Sequence, residues 1–312
     1  MKVYYALEDF SRLNNAVVTT GTFDGVHVGH KKILSQLNQT AEQCQGESVL
    51  LTFNPHPRIV LQPDINLKLL NTQQEKINLL KDTGIDHLII HPFTREFSRT
   101  KSMNFVRDYL VNLIGAKKLV IGYDHHFGRN REGSFEHLKE FGPLYGFEVE
   151  EISAEDVDQV TVSSTKIRKA LSDGDIATAN EYLGYNYTLS GKVVSGDQIG
   201  TDLGFPTANL LIDDTLKLVP GNGIYAVEVE FPASPGTRYH GLCNIGMRPT
   251  FSGKLKTIET YILDFDRQIY GEQMQISFMK YLRPEEKFDS SEALIKQMEQ
   301  DVVEARLFFD RT

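Results

Sequence analysis

Between residues 16 and 152 the apolar residues gather in short β-type runs, AVVTTG, SVLLTF, DHLIIHPF, KLVIGY and FEVEEI. Most of these runs lack polar alternation, the pattern of a strand buried on both faces. Between them the spacing changes to three and four residues: Ile33, Leu34, Leu37 and Ala41 after the first run, then EKINLL, NFVRDYLVNLI and FEHLKEF. That spacing puts apolar side chains on one face of a helix. Strands alternating with helices predict parallel βαβ units, hence an α/β fold with a doubly wound parallel sheet and ligands at the carboxyl ends of its strands. The half closes on a helical stretch, SSTKIRKALSDGDIATANEYLG, in which Ser, Asp and Gly supply caps and breaks.

After Gly184 the pattern is different. YTLSGKVV, GIYAVEVEF, TIETYILDF and MQISFMKYL are short and largely alternating, and Gly and Pro interrupt the segments between them. They predict a small antiparallel barrel. A closing helix, SEALIKQMEQDVVEARLFF, carries Ile295, Met298, Val302, Ala305 and Phe309 on one stripe, expected to face the core. The boundary is expected near residue 185, giving domains 1–185 and 186–312.

Composition narrows the picture. A chain of 312 residues with 40% hydrophobic and 24% charged residues is long enough for two cores and balanced for a globular protein. A formal charge of -9 without a segregated basic stripe argues against nucleic acid or a membrane surface as partner. Cys44 and Cys243 stand far apart, so neither a disulfide framework nor a thiolate metal site is expected. The start, MKVYYALEDF, lacks the apolar core of a signal peptide, no apolar run approaches the roughly 20 residues of a membrane span, and a cytoplasmic location is expected.

The chemistry begins at TFDGVHVGHKK, residues 22–32, where a strand gives way to a helix. A helix start offers unpaired N–H groups and the positive end of the macrodipole, so it attracts phosphate. Gly29 permits close backbone approach, and His27 and His30, three residues apart, can flank one anion. Two other readings stay open: one histidine buried and the other exposed, or a metal pair completed by His125 or His126, although no metal-ligand spacing is matched. Asp24 either orients a histidine or forms a turn.

The stretch is of the HxGH type of the nucleotidylyltransferase superfamily. With TFNPHP at 52–57, GYDHHFG at 122–128 and SSTKIR at 163–168, in this order, it resembles the adenylyltransferase module of the bacterial bifunctional riboflavin kinase/FMN adenylyltransferases, or FAD synthetases. In the second half LGFPTANL at 203–210, GIYAV at 223–227, NIGMRPTF at 244–251 and IETYILDF at 258–265 resemble the riboflavin kinase module of the same family. The resemblance spans nearly the whole chain.

It implies a Rossmann-like nucleotidylyltransferase domain that joins FMN to the AMP part of ATP and releases pyrophosphate. The FMN phosphate is already an anion, so the site has to align and neutralise rather than deprotonate. His27 and His30 would donate to the phosphates, Gly21 and Gly29 would admit the backbone, and Ser163, Ser164 and Arg168 would hold the outer phosphates; Ser163 is equally placed to be an N-cap. Asn54, His56 and Asp124 are implied in the flavin and nucleotide walls, or they shape turns. For the kinase module the resemblance implies Glu259 as the base for a ribityl hydroxyl, with Thr207 and Asn209 giving oxygens to a Mg²⁺ ion that bridges ATP phosphates. Strand alternation sets Glu259, Tyr261 and Leu263 on one face and Ile258, Thr260 and Ile262 on the other. Arg248 and Phe251 are candidates for the flavin, Arg248 being equally able to pair with a surface carboxylate. One departure stands out: where the family commonly carries arginine, this chain has Thr201.

Three functions follow as expectations. The first is a bifunctional enzyme acting on riboflavin, FMN and ATP; the second keeps only the adenylyltransferase, with the kinase degraded at Thr201; the third binds flavin or nucleotide without turnover. Oligomeric state is not read from the sequence.

Overall fold

The structure is a computed structural model that describes residues 1–311 except 123–125, 130–131, 153–161, 197–199, 201–202 and 251–252, with backbone alone for 248–250 and 253–255. Two compact units are present, Met1–Ser164 and Thr165–Thr312.

The first unit is built on a parallel sheet of β1 (Lys2–Tyr4), β2 (Ala16–Thr20), β3 (Glu47–Asn54), β4 (His87–Pro92), β5 (Ala116–Gly122) and β6 (Glu148–Ile152), in the order β1-β4-β3-β2-β5-β6. Every neighbouring pair is parallel. β2 is buried at all five positions, as expected of a strand covered on both faces. Its alternate residues feed two cores. Ala16 and Val18 join Val49, Leu51 and Ile89 under α4, whose first turn Ser102–Asn104 continues as the π-helical Phe105–Ile114, and α5 (Phe135–Tyr145). On the other face Val17, Leu50 and Leu88 pack with Leu34, Leu37 and Ala41 of α1 (Val28–Gln43) and with Ile77 and Leu80 of α3 (Gln73–Lys81). A five-residue helix, α2 (Pro57–Leu61), follows β3. The strand order reverses between β2 and β5, which places the crevice of a doubly wound sheet at the carboxyl end of β2, where α1 starts.

The second unit is a closed antiparallel barrel of β7 (Thr188–Val194), β8 (Thr207–Leu211), β9 (Gly223–Glu230), β10 (Arg238–Thr250), β11 (Gly253–Ile262) and β12 (Gln273–Arg283), in the order β10-β11-β8-β7-β12-β9. Two of these strands, β8 and β10, were not expected from the pattern. β10 contains Gly241, Gly246 and Pro249, which mask its periodicity. A Cβ at Gly241 would approach the Tyr261 carbonyl to 2.8 Å, a backbone atom that cannot swing away, so a close neighbour accounts for that glycine, whereas the Glu285 side chain beside Gly246 can move.

The helical stretch after residue 163 divides at Gly174, φ 79°, into α6 (Ser164–Asp173) and α7 (Ile176–Leu183), capped by Asp175. Both helices pack with the barrel unit. The Gly221 N–H donates to the Leu171 carbonyl at 2.8 Å, Asn180 Nδ2 donates to the Phe278 carbonyl at 2.8 Å, and Gly174 lies against the Tyr281 ring. The closing helix α8 (Ser291–Phe309) begins at an N-cap, Ser290, whose hydroxyl accepts from the Ala293 N–H. Its Val302, Ala305 and Phe309 pack on Ala226, Leu242 and Tyr261, the outer face of the barrel.

Candidate functional site

In the first unit the stretch after β2 folds into a tight loop with Phe23, Gly25 and Val26 at φ 48°, 88° and 37°. Left-handed backbone at two residues other than glycine is held only where the surroundings over-determine it. Four anchors do so. The Asp24 carboxylate accepts from the Leu70 and Asn71 N–H groups at 3.0 and 3.4 Å, Thr52 Oγ1 and Lys76 Nζ both donate to the Thr22 carbonyl at 3.2 Å, and Ser164 Oγ donates to the Asp24 carbonyl at 2.9 Å. Asp24 therefore pins the loop to the segment before α3.

The loop delivers His27 as the N-cap of α1, with its Nδ1 accepting from the His30 N–H at 3.3 Å. A neutral ring that accepts at Nδ1 carries its proton on Nε2, so His27 is set as an Nε2–H donor. The His30 ring stacks on His27 at 3.6 Å between centroids and 15° between planes, with Phe23 at 4.7 Å on its other side. Burial, then the charges of His27 and Lys76, hold the His30 imidazole well below its usual pKa, so it is neutral at physiological pH. His30 Nδ1 is buried and has no hydrogen-bond partner among the described residues. A stacked pair at a helix start, with His30 neutral, can donate hydrogen bonds to an anion.

The other predicted residues of this half are placed as follows. Gly21 and Gly29 flank the histidine loop, at the end of β2 and in the first turn of α1. Ser164 reaches the same loop, its Oγ donating to the Asp24 carbonyl, and Ser163 immediately precedes it at the start of α6. Arg168 lies on α6 in the second unit. Asn54 ends β3, and His56 caps α2, its Nδ1 accepting from the Arg58 N–H at 3.2 Å. His126 is exposed, and among the described residues no group of three His, Cys, Asp or Glu side chains is arranged to hold a metal. Asp124 and His125 lie outside the described residues.

In the second unit the register of β8, β11 and β10 sets Asn209 opposite Glu259 and Glu259 opposite Asn244, with Thr207 opposite Tyr261 and Tyr261 opposite Leu242 in the next row. Residues directly opposite in an antiparallel sheet share a face. The intervening Ile258, Thr260 and Ile262 are 6%, 0% and 5% exposed and fill the barrel, so the alternation puts Glu259 on the outer face. There a cavity of about 140 Å³ is lined by Phe205, Thr207, Asn244, Glu259 and Tyr261 from the barrel and by Leu294, Met298 and Asp301 from α8. Arg283 clamps the helix over it through Nε to Asp301 Oδ1 at 2.8 Å and Nη2 to Oδ2 at 2.7 Å, and Gln297 donates to the same carboxylate. The Glu259 carboxylate has no ion-pair or hydrogen-bond partner among the described residues and faces this cavity as an acceptor. Thr207, Asn209 and Glu259 form a set of hard oxygen donors, the set a Mg²⁺ ion takes. Thr201 and Phe251 lie outside the described residues, as does the side chain of Arg248.

The FAD synthetase family model matches residues 9–166 and the riboflavin kinase family model matches residues 183–309. The bifunctional riboflavin kinase/FMN adenylyltransferase of Listeria monocytogenes is 37% identical over 95% of this chain and 93% of its own length.

The chain belongs to the bifunctional riboflavin kinase/FMN adenylyltransferase family.

The Escherichia coli K12 member of that name is 34% identical over 100% of this chain and 99% of its own. Among solved structures, that of the macrolide-efflux protein from Streptococcus pneumoniae is 30% identical with a TM-score of 0.88, covering 98% of both chains. Among the described residues of this riboflavin kinase/FMN adenylyltransferase family member, no helix is long and apolar enough to cross a membrane. Three residues of its two sites were missed in the sequence. Lys76 and Asn244 lie in stretches quoted for other reasons, EKINLL and NIGMRPTF, and with Arg283 they come to their sites through tertiary pairing.

Proposed function

We propose that the barrel unit phosphorylates riboflavin to FMN with ATP, and that the parallel-sheet unit adenylylates FMN to FAD and releases pyrophosphate, in the cytoplasm. The catalytic modules are residues 1–185 and 186–312, with α6 and α7 docked on the barrel. The observation that carries the reading is the pairing, in one chain, of a stacked histidine pair at a helix start with a Glu259 carboxylate that stands between Asn209 and Asn244 and has no ion-pair or hydrogen-bond partner among the described residues.

In the adenylyl transfer no proton has to leave the nucleophile. His27 donates through Nε2–H and His30 beside it donates to the oxygens that gain charge as the bond to pyrophosphate breaks. Gly21, Gly29, Ser163, Ser164 and Arg168 bind and align the nucleotide, and Asn54, His56 and Asp124 line the flavin. The loop anchors at Asp24, Lys76 and Ser164 keep the two imidazoles in place before substrate arrives, which is where the rate advantage of a fixed site comes from.

In the kinase the nucleophile is a neutral alcohol, and Glu259 takes its proton as it attacks the γ-phosphate. Thr207 and Asn209 would hold a Mg²⁺ ion through the hydroxyl and the amide oxygen; when bound, that ion neutralises phosphate charge. Arg248 and Phe251 bind the flavin. Thr201 in place of arginine removes one guanidinium from the phosphates, which weakens nucleotide binding without removing the base.

Incubation with riboflavin, ATP and Mg²⁺, followed by chromatography of the flavins, should yield FMN and then FAD. Riboflavin left unchanged while added FMN becomes FAD would leave the adenylyltransferase alone. Glu259→Gln should lower riboflavin phosphorylation on the order of 10²-fold or more, while FAD formation from FMN stays within about twofold. Equal loss of both activities would refute the division of labour.

A further inference from the structure

Asn244 opens the NIGMRPTF stretch, in which only Arg248 and Phe251 have been given a role, and it occupies the position opposite Glu259 across β10 and β11. Both side chains line the cavity under α8. Its Oδ1 is buried and has no hydrogen-bond partner among the described residues. On the far side its cross-strand neighbour is Ile224, two residues earlier on the same face stands Leu242, and Arg283, next in the row beyond Ile224, gives Nε and Nη2 to Asp301. A buried amide oxygen left unpaired is costly, and in a side chain that lines a cavity it marks a place where a ligand donor can complete the bonding.

The chemistry of that ligand is narrow. Glu259 as a carboxylate is acceptor-only, and Asn244 adds a second acceptor one strand spacing away, about 5 Å. A ligand that satisfies both must bring two donors a few ångströms apart. Ionised phosphate brings none, and the flavin ring system carries a single N–H. Neighbouring hydroxyls of a polyol chain match the pair, one on each acceptor.

We propose that Asn244 is a substrate-binding residue of the kinase site, its side-chain oxygen accepting a hydrogen bond from a secondary hydroxyl of the ribityl chain whose primary hydroxyl is held by Glu259. The inference rests on the reading of the barrel as the riboflavin kinase. A site that accepts a hydroxyl proton rejects the analogue lacking that hydroxyl, because its own acceptor is then buried unpaired.

The test measures kcat/KM for phosphorylation of riboflavin and of its 2′-, 3′- and 4′-deoxy analogues. In the wild-type protein one of the three analogues should lose about tenfold or more against riboflavin. Asn244→Leu should lower the value for riboflavin by a similar factor and bring that analogue to within about twofold of it, whereas Asn244→Asp, which keeps an acceptor, should preserve the ranking. Wild-type protein that uses all three analogues within about twofold overturns the proposal without recourse to any variant, and so does an Asn244→Leu enzyme that discriminates as the wild type does. Wild-type protein that leaves riboflavin unphosphorylated overturns the kinase reading, and the role of Asn244 with it.

Discussion

His30 shows how a single side chain records its surroundings. Burial first, then the charges of His27 and Lys76, lower its pKa, so the folded chain resists its protonation while the unfolded chain takes up a proton near the ordinary value of about 6.5. The sign follows. Below that value the unfolded state binds more protons, so the stabilisation is complete above pH 6.5 and is lost as the pH falls. Denaturant unfolding of the first unit should give lower stability at pH 5.5 than at pH 7.5, by no more than about 1.4 kcal/mol per pH unit for this one group. His91, also lowered by burial, adds in the same direction. His30→Asn should reduce the slope without abolishing it; an unchanged slope would show that His30 is not the buried neutral ring described here. Much of this site is legible at residue level, since the spacing of His27 and His30 at a strand-to-helix junction already points to an anion. That His27 spends its Nδ1 on the His30 N–H, and that Lys76 reaches the Thr22 carbonyl, depend on side-chain placement between segments far apart in sequence.

Among the elements, those with one buried face or two were readable and those with interruptions were not. α1, α3 and α5 follow their three- and four-residue spacing, and β2 to β5 follow their apolar runs. β10 is masked by its glycines and proline, of which Gly241 answers to the Tyr261 carbonyl that only the closed barrel brings near. α8 packs through Val302, Ala305 and Phe309 of its apolar stripe, but the polar device that holds it depends on a side chain from β12. The Arg283 and Asp301 side chains are 16% and 6% exposed and form two parallel hydrogen bonds. Removing one partner of such a pair strands the other, at a cost of about 3 kcal/mol or more. Asp301→Ala should therefore lower the denaturant midpoint of the barrel unit and reduce riboflavin phosphorylation, because α8 walls the cavity beside Glu259. Retained stability and activity together would show that the apolar contacts of Ala305 and Phe309 suffice.

At the scale of the whole molecule the sequence divides by texture near residue 185, whereas packing divides after Ser164. The difference has a physical basis. α6 and α7 have ordinary helical spacing, which says nothing about which neighbour they cover; the hydrogen bonds from Gly221 and Asn180 decide it. A fragment 165–312 should accordingly melt at a higher temperature than 186–312, by several degrees, since the shorter piece exposes the faces that Leu171 and Ala179 cover. Equal melting temperatures would mean that the two helices add nothing to the barrel.

The ring of strands in the second unit shuts on itself, while the sheet of the first unit stops at β1 and β6. A ring has no end from which to fray. In deuterium exchange the amides of β7 to β12 should gain label together, only when the whole circle comes apart, and those of β1 and β6 should take it up earlier, one border at a time.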